Sequence, residues 1–153
     1  MMTVPTANIL TLRAKKSLTV IIVMGLFLFN CTKKSDPIPE TERVKQLLIS
    51  SPWKVQTVTV DLVDQTPVYA GLTLSFTETA YTTTQGGFVW PASGTWVFAD
   101  NTGKTISRSD GLSITVVEVT PTQLALKFTW LKGTLSGGKS LSVAGVHLFT
   151  FIK

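Results

Sequence analysis

Residues 120–130, TPTQLALKFTW, decide the fold. Thr120-Pro121-Thr122 reads as a turn. Behind it, Leu124, Leu126, Phe128 and Trp130 fall on one side of the chain, and Lys127 and Thr129 on the other. A two-residue period is that of a strand with one buried face. Working outward, the same kind of short run recurs at 53–63, 72–76, 80–84, 94–99, 105–108, 112–119 and 146–152. Leu72, Leu74 and Phe76 share one face, as do Trp96 and Phe98. Gln85-Gly86-Gly87, Asp100-Asn101-Thr102-Gly103 and Ser109-Asp110-Gly111 divide the runs. Regularly spaced strands with turn residues between them are the mark of an all-β sandwich or barrel. Tight turns force neighbouring strands antiparallel. About eight such strands in sequence make a meander, and closing it into a barrel removes both exposed edges. Inward Trp and Phe side chains then fill a small barrel or leave a narrow apolar cup.

Upstream, residues 40–50 read as one short helix. Thr41 is its expected N-cap, and Val44, Leu47 and Leu48 form its apolar stripe. The stripe must cover something apolar, most simply an open end of the β domain. Residues 32–39, TKKSDPIP, read as a linker that Pro37 and Pro39 stiffen toward an extended form.

The first thirty residues are different in kind. They carry Arg13, Lys15 and Lys16 and no acid, then an apolar run that ends at Cys31, the one cysteine in the 153-residue chain. A basic region followed by a short apolar core is the layout of a secretory signal peptide. The run is shorter than the ~20 residues that a helical membrane span needs. This stretch resembles a bacterial lipoprotein signal peptide. Leu28, Phe29 and Asn30 stand where that class has its lipobox, and Cys31 stands where it has the lipidated residue. The resemblance implies cleavage before Cys31, acylation of that cysteine, and attachment to the cell envelope at the outer membrane. Acyl chains contribute roughly 0.8 kcal/mol per buried CH₂, so two or three hold a small domain on a bilayer. The expected organisation is a signal peptide at 1–30, a lipidated cysteine and linker at 31–40, and a β domain at 41–153.

The β domain in turn resembles the lipocalin-like domains of small bacterial lipoproteins. The resemblance rests on a helix leading into Trp53, on Gly94-Thr95-Trp96 through Gly103, on Ile114 with Leu124 and Leu126, and on the closing run from Leu148. Where lipocalins have Gly-x-Trp, this chain has Ser51-Pro52-Trp53. The resemblance implies an eight-stranded barrel with an apolar pocket and a non-enzymatic role. The alternative from another class is an immunoglobulin-like sandwich serving adhesion or assembly.

Charge narrows the partners. The net charge is +5, but without residues 1–30 eleven basic face nine acidic residues, a balance of +2. No basic stripe is interleaved with aromatics, so nucleic acid is not an expected partner. Residues 133–140, GTLSGGKS, match the phosphate-loop pattern GxxxxGK[ST]. The chain has only thirteen residues beyond Ser140, and they read as a strand rather than the helix that loop needs. Ser136 to Lys139 also matches S-x-x-K, without the further motifs of acyl enzymes. Both matches read as a strand connection. His147, the lone histidine, suits a barrel rim or a structural hydrogen bond, and with no cysteine in the domain no metal or other cofactor is expected. Asp61, Asp64, Glu78, Asp100, Asp110 and Glu118 fall mostly at turns and strand ends, and no catalytic pair is marked among them. The candidate ligand-binding residues for a small hydrophobic molecule are aromatic. Trp96, Phe128 and Trp130 are expected on strands, and Phe88 and Trp90 on the Gly- and Pro-broken loop at 85–93.

Overall fold

The structure, a computed structural model, describes residues 37–132, 134–136, 139–142 and 144–153. The expected signal segment, Cys31 and most of the expected linker lie outside the described residues. Within the folded unit, Ile38–Lys153, one helix comes first. Helix α1 (Glu40–Ile49) starts two residues earlier than a Thr41 cap requires, with Pro39 at the N-cap position. Proline presets the extended backbone that precedes a helix, and its carbonyl accepts the Arg43 N–H at 3.0 Å. Thr41 therefore lies inside the first turn, beside Glu40 and Glu42, whose charges favour a helix N-terminus.

Eleven strands follow in the described chain: β1 (Trp53–Val60), β2 (Val63–Asp64), β3 (Thr73–Phe76), β4 (Ala80–Thr84), β5 (Ser93–Phe98), β6 (Thr105–Arg108), β7 (Ser113–Val119), β8 (Gln123–Trp130), β9 (Thr134–Ser136), β10 (Lys139–Ser142) and β11 (Gly145–Ile152). A 3₁₀ turn, η1 (Thr66–Tyr69), lies between β2 and β3. The sheet runs β11-β8-β7-β6-β5-β4-β3-β1, and β11 pairs back onto β1. Every pairing is antiparallel. Eight strands thus close a meander barrel. The closing seam runs from Lys54↔Ile152 to Val60↔His147, and this closure excludes the two-sheet sandwich.

Three features depart from the sequence reading. The run at 53–63 is two strands, because the chain reverses at Asp61 and Leu62, both with positive φ (47° and 71°). Asp61 secures that turn: its N–H donates to the Val146 carbonyl, and its carboxylate accepts the Val146 N–H, each at 2.9 Å. Second, η1, with Pro67 as its second residue, carries Tyr69 into the core. Third, the phosphate-loop look-alike overlaps the β9–β10 hairpin, in which Lys139 pairs with Ser136.

The helix covers the barrel end where the β3–β4, β5–β6 and β7–β8 turns meet. Val44 and Leu48 are buried there. Lys45 reaches Glu78 in the β3–β4 turn at 3.3 Å. Gly103, with φ of 70°, lets the β5–β6 turn approach the Val44 side chain, which lies 3.1 Å from where a Cβ would sit. The Trp53 indole N–H donates to the Leu48 carbonyl at 2.9 Å, tying the helix to β1. Lys153 lies over the same indole at 4.7 Å. Inside, Trp53, Leu72, Leu74, Leu124, Leu126, Phe149 and Phe151 are sealed from solvent. The alternation at 120–130 holds: Leu124, Leu126 and Phe128 face inward and Lys127 outward. Among the described residues, the buried side chains pack into one core cluster.

Candidate functional site

Opposite the helix, the barrel end is built from the Asp61-Leu62 turn, η1, the loop at 85–92, the turn at 109–112 and the start of β11. The loop at 85–92 is the unusual part. Gln85 and Gly87 have positive φ (55° and 60°). Gly86 has no room for a Cβ, which would meet the Trp90 carbonyl oxygen at 2.3 Å. The Trp90 N–H donates to the Gly86 carbonyl at 3.1 Å, and the Thr83 hydroxyl lies on the carbonyls of Trp90 and Pro91 at 3.1 and 2.9 Å. This backbone turns Trp90 into the barrel, where only 1% of its surface remains exposed. Its ring stands edge-to-face with Tyr81, Phe128 and Phe149, at centroid distances of 5.9, 5.7 and 6.0 Å. Gly94, paired with Tyr81, leaves space for the tyrosine ring.

Arg108 closes this cluster. Its alternation with Ile106 on β6 places it inward, and it is 3% exposed. The guanidinium lies 5.0 Å from the Trp90 ring centre and 5.6 Å from that of Tyr81. One nitrogen donates to the Val89 carbonyl at 2.8 Å. Two others grip Asp110 in a bidentate pair, Nε to Oδ1 at 3.1 Å and Nη2 to Oδ2 at 2.5 Å. Burial pushes the Asp110 carboxyl up, but the hydrogen bond and charge of Arg108 outweigh it and hold the group below its ordinary value. The arginine is thus neutralised in place, as a buried charge must be.

His147 is fully buried beside the cluster rather than at an exposed rim. It stacks on Phe128 and Phe149. Its Nδ1 is 3.1 Å from the Gly145 carbonyl, which can only accept, so Nδ1 carries the proton. Nε2 then accepts from the Tyr69 hydroxyl at 3.4 Å. Burial pushes the histidine pKa down, against the smaller opposing effects of the Gly145 carbonyl and Asp61. Burial also pushes the Tyr69 hydroxyl up to about 12. The folded chain therefore favours neutral histidine, whereas the unfolded chain protonates it below about pH 6.5. Stability from this group is complete above that value and is lost as pH falls through it toward the lower folded value. Melting temperature should decline between pH 7 and pH 5, and His147→Gln should flatten that decline. An unchanged slope in the variant would remove His147 as its source.

The candidate residues divide. Trp90 and Phe128 meet in the interior cluster. Trp96, in register with Arg108, turns its ring the other way, against Phe76 and Phe98, and its indole N–H donates to the carbonyls of Thr77 and Ala80. Trp130 is half-buried and lines a surface cleft of about 230 Å³ with Leu112 and Leu131. Phe88 is 52% exposed at the loop tip. Arg108, Tyr81 and Tyr69 were not singled out by motif, although the Ile106–Arg108 alternation marks the arginine as inward. Of the acids placed at turns, Asp64, Asp100 and Asp110 accept backbone N–H groups two residues on, and Asp110 also serves the buried arginine. Among the described residues, no three His, Cys, Asp or Glu side chains gather as metal ligands. A second surface groove, of about 400 Å³, runs along the outer wall between Leu62, Val146 and Leu148. No protein-family model matches the chain, and no curated protein matches it.

Proposed function

We propose that this chain is a non-enzymatic, lipocalin-like binding barrel of the bacterial cell envelope, lipid-anchored through Cys31, which takes a small apolar ligand at the end away from the helix. The observation that carries the ligand reading is the convergence of Tyr81, Phe128 and Phe149 on Trp90, with the buried Arg108 cation against the Trp90 and Tyr81 rings beneath a single loop. A barrel needs aromatic side chains to fill its core, but it does not need a buried arginine there. The anchor reading rests on sequence: the apolar run ends on the sole cysteine, and a Pro-containing segment separates that cysteine from the helix.

The anchor is tested by feeding producing cells a labelled fatty acid. Wild-type protein should take up label and partition with membranes, and Cys31→Ser should do neither. Equal labelling of the two would refute the anchor without touching the barrel.

A further inference from the structure

We propose that the loop at 85–92 is a movable plug, with Trp90 occupying a site that a planar aromatic molecule takes when the loop swings out. This rests on the binding reading above and adds to it both the chemistry of the ligand and the means of access. Four observations support it. The loop buries Val89 and Trp90 in the interior while Phe88 stays in solvent, so the segment is not buried as a whole. Its backbone is bent at Gln85 and Gly87 through left-handed conformations next to the crowded Gly86, and such positions are where a chain can pivot. Among the described residues, the Trp90 indole N–H is buried without a hydrogen-bond partner. A buried donor with nothing to bond is a penalty that exposure to water removes. Finally, Arg108 clasps the loop from the barrel interior through the Val89 carbonyl and the Trp90 ring, beside the Thr83 hydroxyl on the Trp90 and Pro91 carbonyls.

The walls define the occupant. Tyr81, Phe128 and Phe149 offer the positions that edge-to-face packing requires, and Arg108 offers a cation over the ring face. A planar aromatic molecule satisfies all four at once, whereas a saturated chain engages only the walls. Asp110 already neutralises Arg108, so the occupant needs no negative charge. Opening costs the chain its Trp90 packing, and the incoming ring restores it.

The test uses the full chain and the neutral fluorescent probe N-phenyl-1-naphthylamine, with amide exchange read by NMR. The reporting amides are Trp90, bonded to Gly86, and Thr83, bonded to Ala92. In free wild type they should exchange at least tenfold faster than the Phe149 amide. Saturating probe should speed them further, because a bound ring holds the plug out. Arg108→Met combined with Asp110→Asn, which removes the clasp without stranding a charge, should speed exchange of the free loop's amides at least tenfold further over wild type. Loop amides that exchange only with global unfolding would overturn the plug, as would loop amides that the probe slows or leaves unchanged. A probe that binds wild type while the loop stays shut would overturn the plug and leave the binding reading standing. No binding to wild type or to the double variant would overturn both. If the double variant fails to fold, the wild-type exchange experiment still decides.

Discussion

Replacing Phe149 by alanine should lower the unfolding free energy by about 3–5 kcal/mol, the range for truncating a buried phenylalanine. Phe149 sits midway along β11, the strand that closes the barrel, with Val58 of β1 on one side and Leu126 of β8 on the other. Its ring is wholly sealed. It stacks with Phe128, His147 and Phe151 at centroid distances of 5.6, 5.9 and 5.9 Å, and it meets Tyr69 edge-on at 4.9 Å. Phe128, His147 and Phe151 belong to strands paired on both flanks, so they cannot collapse far into the vacated space. For a domain of this size the melting temperature should drop by more than about 10 °C. Phe149→Leu, which keeps most of the volume, should cost less than about 2 kcal/mol. Urea denaturation of both variants checks this. A loss below about 1 kcal/mol for the alanine variant would contradict close packing around Phe149.

Asp110→Ala should be the second large effect, at about 3 kcal/mol, because it strands the Arg108 charge inside the barrel. The side chains of the pair are unequally placed, 1% exposed for the arginine and 40% for the aspartate. Water can reach the gap left by Asp110, which keeps the cost at the lower end of the usual 3–5 kcal/mol for a broken buried pair. Arg108→Met with Asp110→Asn should cost less than Asp110→Ala alone, since no charge is left behind. The pair also has a pH signature. Asp110 is held below its ordinary value, so its contribution is present above about pH 3.9 and is lost as pH falls through the depressed value. This acid limb sets in at lower pH than the one expected from His147, whose onset is near pH 6.5. Equal denaturation midpoints for wild type and Asp110→Ala would show that the guanidinium is solvated rather than buried.

The barrel was legible in the sequence because one buried face leaves a period of two, most clearly in the strand at 123–130. The turns were legible where glycine and aspartate mark them. The reversal at Asp61 and Leu62 was not, because an apolar leucine at the tip of a turn reads as continued strand. Its left-handed backbone is held from β11, by the pairing of Asp61 with Val146, a residue 85 positions away. The helix start moved by the same logic on a smaller scale, since a threonine in the first turn looks like a cap until the preceding proline is seen to take that role. The interior cluster was legible in part. Phe128 follows from alternation, but Trp90 stands in a Gly- and Pro-broken loop, where composition suggests exposure. Its burial depends on Gly86, on Thr83 and on an arginine from β6, none adjacent to it in sequence.

Native mass spectrometry of the protein taken from its producing cell tests the binding role most directly. The barrel should carry a non-covalent apolar passenger, aromatic if the plug is right, in addition to any acyl mass on the chain. A bare protein mass from gently extracted material, unchanged on adding neutral aromatic compounds, would contradict a binding barrel and leave a purely structural domain.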